Sequence, residues 1–74
     1  MNYYQRIRDL REEKDLTQES IAKYLNTSQT VYSRYERNVR DLPINYLIEL
    51  CKFYNVSADY ILGFTNVKKI LPKK

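Results

Sequence analysis

The chain has 74 residues, of which 43% are hydrophobic and 30% are charged, and its formal net charge is +4. This length allows one small domain with one core. Because the sequence has no histidine and a single cysteine, Cys51, the usual zinc sites, disulfides and nucleophile–base pairs are excluded. We therefore expect no enzyme, no catalytic residues, and no metal or cofactor. Cys51 itself lies in an apolar helical pattern and is expected to pack in the core.

The distribution of apolar residues bears on where the protein acts. No stretch approaches the roughly 18 apolar residues that a membrane span needs. The N-terminus, Met-Asn-Tyr-Tyr-Gln-Arg, lacks an apolar signal segment. We therefore expect a cytoplasmic protein without a membrane partner. The positive net charge suits a polyanionic partner, but it does not identify one by itself.

The first half of the chain contains three predicted helices. Apolar residues at helical spacing predict the first from Tyr3 to Lys14, with Asn2 as N-cap and Gln5 completing a capping box. Thr17 is expected to cap a short second helix. A third helix follows the sequence Asn26-Thr27-Ser28 and runs over residues 29–37. The inward residues of the second and third helices are expected to be Ile21, Ala22, Leu25, Val31, Tyr32 and Tyr35.

Two further helices are predicted before a basic C-terminal segment. A fourth helix begins at Pro43, since proline suits the first helical position, and Ser57 caps a fifth that ends at Gly63. We expect the inward side of the fourth helix to comprise Ile44, Leu47, Leu50, Cys51 and Tyr54. The pattern contains no strand-like alternation, so the fold class is all-α. Residues 1–65 form the domain, and residues 66–74 are expected to be a mostly flexible basic tail.

The short link between the second and third helices indicates a helix-turn-helix, because three residues force a sharp crossing. Asn26 in this link and Asn38 after the third helix are suited to a positive φ angle. Projected at 100° per residue, the outer face of the third helix carries hydrogen-bonding and cationic groups and no carboxylate, whereas the first helix mixes both signs. The residues on this face are Gln29, Thr30, Ser33, Arg34 and Arg37.

That outer face has the chemistry to read the major groove of double-stranded DNA. Gln29 can pair bidentately with adenine and Arg34 with guanine, while Thr30 can touch a thymine methyl and Ser33 allows close approach. The other predicted contacts are to phosphates of the DNA backbone. Cations near the end of the third helix can bind these phosphates, and so can the free N–H groups at the start of the second helix. Their predicted sources are Gln18, Arg37 and Arg40.

The chain resembles the Xre-type, phage-repressor-like helix-turn-helix family. The resemblance lies in Thr17-Gln18-Glu19-Ser20-Ile21-Ala22, in residues 26–36, and in the continuation from Pro43-Ile44 to Gly63, and it covers residues 3–65. It implies a five-helix, lambda-repressor-like domain and a transcriptional regulator, usually a dimer, that binds operator DNA. It further implies that Gln18 holds phosphate, that an arginine of the first helix pairs with the acid after the third (here Arg11 with Glu36), and that the groove is faced by Ser28, Gln29, Thr30, Ser33 and Arg34.

The sequence departs from the family pattern at one core position, and several of its residues have alternative roles. Tyr32 replaces a branched aliphatic residue of the family, and its buried hydroxyl needs a partner. The eight tyrosines can stack on single-stranded bases, although helical spacing favours core packing for most of them. A patch of Tyr3, Tyr46, Tyr60 and Phe64 can serve a dimer, and the lysine tail can act as an arm to phosphate. An antitoxin or other protein-interaction module, with DNA binding secondary, is the alternative to a repressor that binds an inverted repeat as a dimer.

Overall fold

The computed structural model describes residues 2–68 and contains five α-helices with no strand in that range. The predictions of an all-α fold and of five helices are confirmed. Each helix end that the sequence predicts lies within one residue of the observed end. In chain order they are α1 (Tyr3–Glu13), α2 (Gln18–Tyr24), α3 (Gln29–Glu36), α4 (Ile44–Tyr54) and α5 (Ala58–Leu62).

Three helices start at the hydroxyl caps that the sequence predicts. The side chains of Thr17, Ser28 and Ser57 each accept a hydrogen bond from the backbone N–H three residues later, at 3.1, 3.1 and 3.0 Å. These bonds satisfy N–H groups that have no partner within the helix. The starts of α2, α3 and α5 are therefore fixed locally, before any packing is considered.

Helix α1 begins at Tyr3 with Asn2 as its N-cap residue, as predicted, but the predicted capping box does not form. Asn2 makes no capping hydrogen bond through its side chain; its amide instead donates to the Tyr4 hydroxyl at 2.6 Å. The amide of Gln5 points along the helix and donates to Asp9 at 2.9 Å. The predicted capping box is therefore wrong, because both of its side chains are engaged elsewhere.

The turns rely on residues in the left-handed region. Asn26 and Asn38 have φ angles of 63° and 58°, and Gly63, after α5, has 87°, as predicted. Asp15 and Asn55 also have positive φ, 55° and 56°, which the sequence analysis did not anticipate. Asparagine and aspartate tolerate this conformation better than other residues with a Cβ, so short links can join all five helices with only one glycine in the chain.

The core combines the inner faces of all five helices, and the expected inward residues of α2 and α3 are buried, with Val31 only partly so. Four tyrosines belong to it, which supports the packing interpretation of the aromatic residues. Two expectations for α4 are wrong. Ile44 is 70% exposed, because it occupies the first turn of α4 beyond the edge of the core, and Pro43 is the N-cap rather than the first helical residue. The buried hydrophobic residues are Ile7, Leu10, Ile21, Ala22, Leu25, Tyr32, Tyr35, Leu47, Leu50, Tyr54, Val56, Tyr60 and Ile61.

A buried arginine attaches the segment after α5 to α1. Arg6 is 5% exposed, and its guanidinium carbon lies 4.1 Å from the ring centroid of Tyr60, in a cation–π arrangement. Its terminal nitrogens donate to Asn66 Oδ1 at 2.8 Å and to the Thr65 carbonyl at 3.4 Å. Lys68 follows, with its Nζ 2.7 Å from a Glu13 carboxylate oxygen. Residues 69–74, the rest of the predicted tail, lie outside the described residues.

Within residues 2–68 no helix is both long enough and apolar enough to cross a bilayer. The longest helices, α1 and α4, have 11 residues each. A membrane-spanning helix needs about 20 residues.

Candidate nucleic-acid interface

The turn between α2 and α3 is built from backbone hydrogen bonds around Asn26. The N–H of Thr27 donates to the Ala22 carbonyl at 2.9 Å, and the N–H of Asn26 donates to the Lys23 carbonyl at 3.1 Å. This pattern closes the C-terminus of α2 with a left-handed residue. It leaves Ser28 free to cap α3 directly, so the two helices form the compact unit that the spacing predicts.

The inner face of α3 is fixed in the core by two aromatic rings. Tyr32 is completely buried and Tyr35 is 4% exposed. Their ring centroids lie 6.2 Å apart in an edge-to-face arrangement, and Tyr35 makes a similar contact with Tyr46 of α4 at 5.9 Å. Edge-to-face pairs of this kind add to the stabilisation from burial. The orientation of α3 about its own axis is therefore set by packing.

The outer face of α3 is turned to solvent. Gln29 and Thr30 are exposed, whereas Ser33 and Arg34 are partly buried. The Ser33 hydroxyl donates to the Thr30 carbonyl at 2.9 Å. Ser28 is also exposed, but its oxygen accepts the cap bond from the Val31 N–H, which leaves its hydroxyl proton as the group to offer a ligand.

Three arginines lie on α3 or just after it. Val39 N–H donates to the Arg34 carbonyl at 2.9 Å, and Arg40 N–H donates to the same carbonyl at 3.3 Å, so the chain folds back over the end of α3. Arg37 and Arg40 are exposed. Among residues 2–68, no carboxylate forms a salt bridge with any of these three arginines. Their charges are therefore available to an anion.

Glu36, the acid at the end of α3, is turned away from this face. It is buried, and its carboxylate forms a bidentate ion pair with Arg11 of α1, with Oε2 2.8 Å from Nε and Oε1 3.0 Å from Nη2. Arg11 also donates to the Leu16 carbonyl at 2.8 Å. One guanidinium thus connects α1, the loop before α2, and the end of α3. The outer face of α3 consequently presents no carboxylate.

Gln18, expected at a phosphate, also contacts this ion pair. Its amide nitrogen donates to Glu36 Oε1 at 3.1 Å. Burial raises the pKa of Glu36, but the favourable interactions of its carboxylate, chiefly the hydrogen bonds from Arg11, outweigh that effect and hold the pKa below its usual value. The pKa of Arg11 is raised, chiefly by its hydrogen bond to Glu36. Both partners therefore remain charged at neutral pH.

Two tyrosine hydroxyls border the ion pair. The hydroxyls of Tyr32 and Tyr54 are buried, and none of the residues in the described range gives either one a hydrogen bond. The partner expected for Tyr32 is thus not found there. Burial, together with the negative charge of Glu36, raises the pKa of both hydroxyls, so both stay neutral beside the carboxylate.

One acid near the outer face of α3 was given no contact role in the predictions from the sequence. Glu19 is exposed on the first turn of α2 and lines a groove with Lys23, Ser28 and Gln29. A carboxylate there can accept a hydrogen bond from cytosine N4 but repels phosphate. Glu19 comes close to Ser28 and Gln29 because of the turn between α2 and α3. A helical projection of α3 alone therefore does not include it.

The described part of the chain contains no cluster of three or more histidine, cysteine, aspartate or glutamate side chains able to hold a metal ion. Apart from Glu19, the polar groups that the outer face of α3 and the adjoining turn present are neutral hydrogen-bonding groups and cations. Their arrangement is suited to binding a polyanion by charge and by specific hydrogen bonds.

Comparisons with known proteins agree with this geometry. A family model described as helix-turn-helix matches residues 7–61. Two relatives come from Bacillus subtilis (strain 168). An uncharacterised HTH-type transcriptional regulator, YobD, is 39% identical over 86% of this chain and 57% of its own length. The HTH-type transcriptional regulator ImmR is 38% identical over 93% of this chain and 54% of its own.

A third relative is the cryptic phage CTXphi transcriptional repressor RstR of Vibrio cholerae, 35% identical over 93% of this chain and 64% of its own length. The chain thus spans between about half and two thirds of the length of these curated relatives.

Solved structures show the same architecture. The P22 c2 repressor, crystallised with a synthetic operator, superimposes with a TM-score of 0.78 at 26% identity, covering 88% of this chain and 98% of that one. The N-terminal DNA-binding domain of SinR from Bacillus subtilis gives a TM-score of 0.69 at 27% identity, covering 80% and 87%. The chain belongs to the helix-turn-helix family of Xre-type, phage-repressor-like DNA-binding transcriptional regulators.

Proposed function

We propose that this protein is a sequence-specific transcriptional repressor that binds an inverted-repeat operator as a homodimer, with α3 in the major groove. The observation that carries the proposal is the outer face of α3, where no carboxylate of residues 2–68 pairs with Arg34 and the nearby acid, Glu36, is buried against Arg11. A face of solvated charge usually mixes both signs, and this face offers only donors, neutral acceptors and cations.

Base recognition is assigned to the residues along this face. Gln29 pairs with adenine and Arg34 with guanine, because each can form two hydrogen bonds to the edge of its base. Thr30 contacts a thymine methyl. Ser33 and the hydroxyl proton of Ser28 supply shorter contacts where the helix lies closest to the base pairs.

Backbone contacts are assigned to the ends of the two helices. Arg37 and Arg40 are exposed beyond the C-terminus of α3, where a phosphate strand borders the groove. Gln18 gives one amide hydrogen to Glu36, and its second hydrogen and the N–H groups of α2 face a phosphate. These contacts add affinity without sequence preference and weaken as salt rises.

Dimeric binding and repression rest on the relatives and on the symmetry of operators. RstR is named a transcriptional repressor, and the P22 c2 repressor was crystallised with a synthetic operator. A two-fold dimer places two recognition helices about 34 Å apart on successive major grooves. We further propose that the protein acts in the cytoplasm, where its operator would be found, and that it needs no cofactor.

Selection of bound sequences from a random DNA pool, with the mass of the complex measured, tests the operator and the stoichiometry. Arg34→Ala should then weaken binding to the selected operator by about 1–3 kcal/mol and relax discrimination at one base pair. Arg8→Ala is the matched control, since Arg8 lies on α1 and pairs with Glu12. An equal loss of affinity for random DNA in Arg34→Ala would contradict base recognition, and selection of no common sequence would contradict the function.

A protein-interaction module, such as an antitoxin, is the second candidate. The observation that favours it is the exposed apolar segment after α5, in which Phe64 is 79% and Val67 62% exposed. The aromatic patch predicted from the sequence, Tyr3, Tyr46, Tyr60 and Phe64, exposes less surface than expected, because Tyr60 is buried beneath Arg6. A stoichiometric partner that co-purifies and is lost in Phe64→Ser would favour this candidate.

A further inference from the structure

Two tyrosines, Tyr35 of α3 and Tyr46 of α4, form a pair beside the C-terminal end of α3. Their ring centroids lie 5.9 Å apart at an interplanar angle of 71°. Tyr35 is 4% exposed and Tyr46 is half-buried against the core, so packing fixes the position of both rings. Tyr46 also lies in the first turn of α4, where the helix dipole favours an anion.

The hydroxyls of this tyrosine pair have no hydrogen-bond partner within residues 2–68. The tyrosine hydroxyls that form hydrogen bonds in that range are those of Tyr3, Tyr4 and Tyr24. The tyrosine hydroxyls that are enclosed there without a partner are those of Tyr32 and Tyr54. The hydroxyl of Tyr35 belongs to neither group, so it reaches the surface although its ring is in the core. It can therefore donate to an acceptor from outside the protein.

Arg40 brings a positive charge to the same place. Its backbone N–H donates to the Arg34 carbonyl at 3.3 Å, which holds the loop after α3 against the helix, and its side chain is exposed. Burial raises the pKa of Tyr35, Tyr46 raises it further, and Arg40 lowers it. Arg40 is thus close enough to the Tyr35 hydroxyl to favour a negative charge there.

Among residues 2–68 no carboxylate forms a salt bridge with Arg40. The adjacent acid, Asp41, lines a pocket on the side of the loop that faces α1 and α5, together with Tyr3, Leu47 and Leu62. The tyrosine pair and Arg40 consequently offer two neutral hydroxyl donors and one guanidinium to an anion.

We propose that Arg40 and the hydroxyls of Tyr35 and Tyr46 bind one phosphate of the DNA backbone together. The inference rests on the proposed function, in which Arg40 contacts a phosphate, and it adds the two tyrosines to that contact. The free oxygens of a phosphodiester accept hydrogen bonds, and tyrosine hydroxyls donate to them as arginine does. Because the ring of Tyr35 is packed in the core, this contact ties the phosphate to α3 itself and fixes how the helix lies in the groove.

The variants Tyr35→Phe and Tyr46→Phe test this inference, because each removes one hydroxyl and keeps the ring. Fluorescence anisotropy measures their affinity for a labelled duplex of random sequence and for the selected operator. Each variant should bind both duplexes about threefold to tenfold more weakly, since one hydrogen bond to phosphate is lost. The slope of log affinity against log salt should stay the same, because a neutral hydroxyl releases no counterion. Arg40→Ala should instead reduce that slope by about one.

A control and a double variant complete the test. Tyr24→Phe is the matched control, since its hydroxyl bonds to Glu49, and its affinity should equal that of the unchanged chain. Tyr46→Phe should weaken binding less in the background of Arg40→Ala than alone, because the two groups share one phosphate. All affinities are measured well below the Tm of each variant, which thermal unfolding gives.

Unchanged affinity in either Tyr35→Phe or Tyr46→Phe would overturn the inference. So would a loss confined to the operator, because every sequence has the same phosphates, and so would full additivity of Tyr46→Phe with Arg40→Ala. Failure of the proposed function is a separate result: selection then yields no common sequence, while the phosphate contact is still measured on random DNA.

Discussion

Replacing Glu36 with glutamine tests whether the buried ion pair holds α3 in place. The carboxylate of Glu36 accepts three hydrogen bonds, two from Arg11 and one from Gln18. Glutamine keeps the shape but offers one oxygen, so its nitrogen must face a donor. At least one hydrogen bond is lost, and the Arg11 guanidinium loses its charge partner.

The expected cost follows from the burial of the two groups. A hydrogen bond to a charged group contributes about 1.5–3 kcal/mol, and breaking a fully buried pair costs about 3–5 kcal/mol. The side chain of Glu36 is 2% exposed and that of Arg11 is 13% exposed, and Arg11 keeps its bond to Leu16. We therefore expect Glu36→Gln to lower the free energy of unfolding by about 2–3 kcal/mol. In a domain of this size that lowers the Tm by roughly 10–20 °C.

Urea unfolding followed by circular dichroism, across a range of pH, measures this effect. The folded pKa of Glu36 lies below its ordinary value, so its stabilising contribution is complete above the unfolded pKa of about 4.3. That contribution is lost as the pH falls through the folded pKa. The difference between the unchanged protein and Glu36→Gln should thus be constant above about pH 5 and shrink at lower pH.

Two results would refute this reasoning. One is a difference in unfolding free energy that does not change between neutral and acidic pH, which would mean that the charge of Glu36 is not the stabilising element. The other is strict additivity with Arg11→Met. Residues that contact one another show coupling of about 0.5–3 kcal/mol, so the double variant should be less destabilised than the sum of the two single variants.

Two other predictions concern the proposed contacts to DNA phosphates and the turn between α2 and α3. Arg37→Ala and Arg40→Ala should each weaken binding to all DNA sequences by a similar factor and reduce the slope of log affinity against log salt by about one; an unchanged slope in fluorescence titrations would remove that arginine from the phosphate contacts. Asn26→Ala should lower the free energy of unfolding by about 1–2 kcal/mol, because alanine is strained at positive φ, whereas Asn26→Gly should preserve it. Equal stability of the two variants in urea unfolding would show that the turn relaxes.

The parts of the fold that the sequence predicts are those with local causes. A hydroxyl at the cap position needs only the N–H three residues later, so Thr17, Ser28 and Ser57 are identifiable from their neighbours alone. The same holds for Asn26 and Asn38, where a break between two helical patterns requires a residue that tolerates positive φ.

The burial of Ile44 and Arg6 was not predicted correctly because it has tertiary causes. Ile44 fits the periodicity of α4, but periodicity does not say where the core ends along a helix, and the first turn lies beyond it. Arg6 is adjacent to the inward stripe of α1 in sequence, and its burial depends on Tyr60 and Asn66, more than 50 residues away. No local pattern could have indicated that an arginine would be buried there.

The candidate site also has features that the local sequence predicts and features that depend on tertiary contacts. The outward direction of Gln29 and Thr30 follows from helical projection once Tyr32 and Tyr35 are assigned to the core. The pairing of Arg11 with Glu36 follows only from the family resemblance, since 25 residues separate the two. The bond from Gln18 to Glu36 was not predicted at all, because it depends on how closely α2 approaches the end of α3.

The separation of the two faces of α3 has a consequence for how such a protein changes over time. Gln29 and Thr30 are exposed, whereas Tyr32, Tyr35 and Glu36 carry the packing and the ion pair. Substitutions on an exposed surface usually alter stability by no more than about 0.5 kcal/mol. Under the proposed function, a new target preference can therefore arise through one or two replacements on the outer face, without a compensating change elsewhere in the domain.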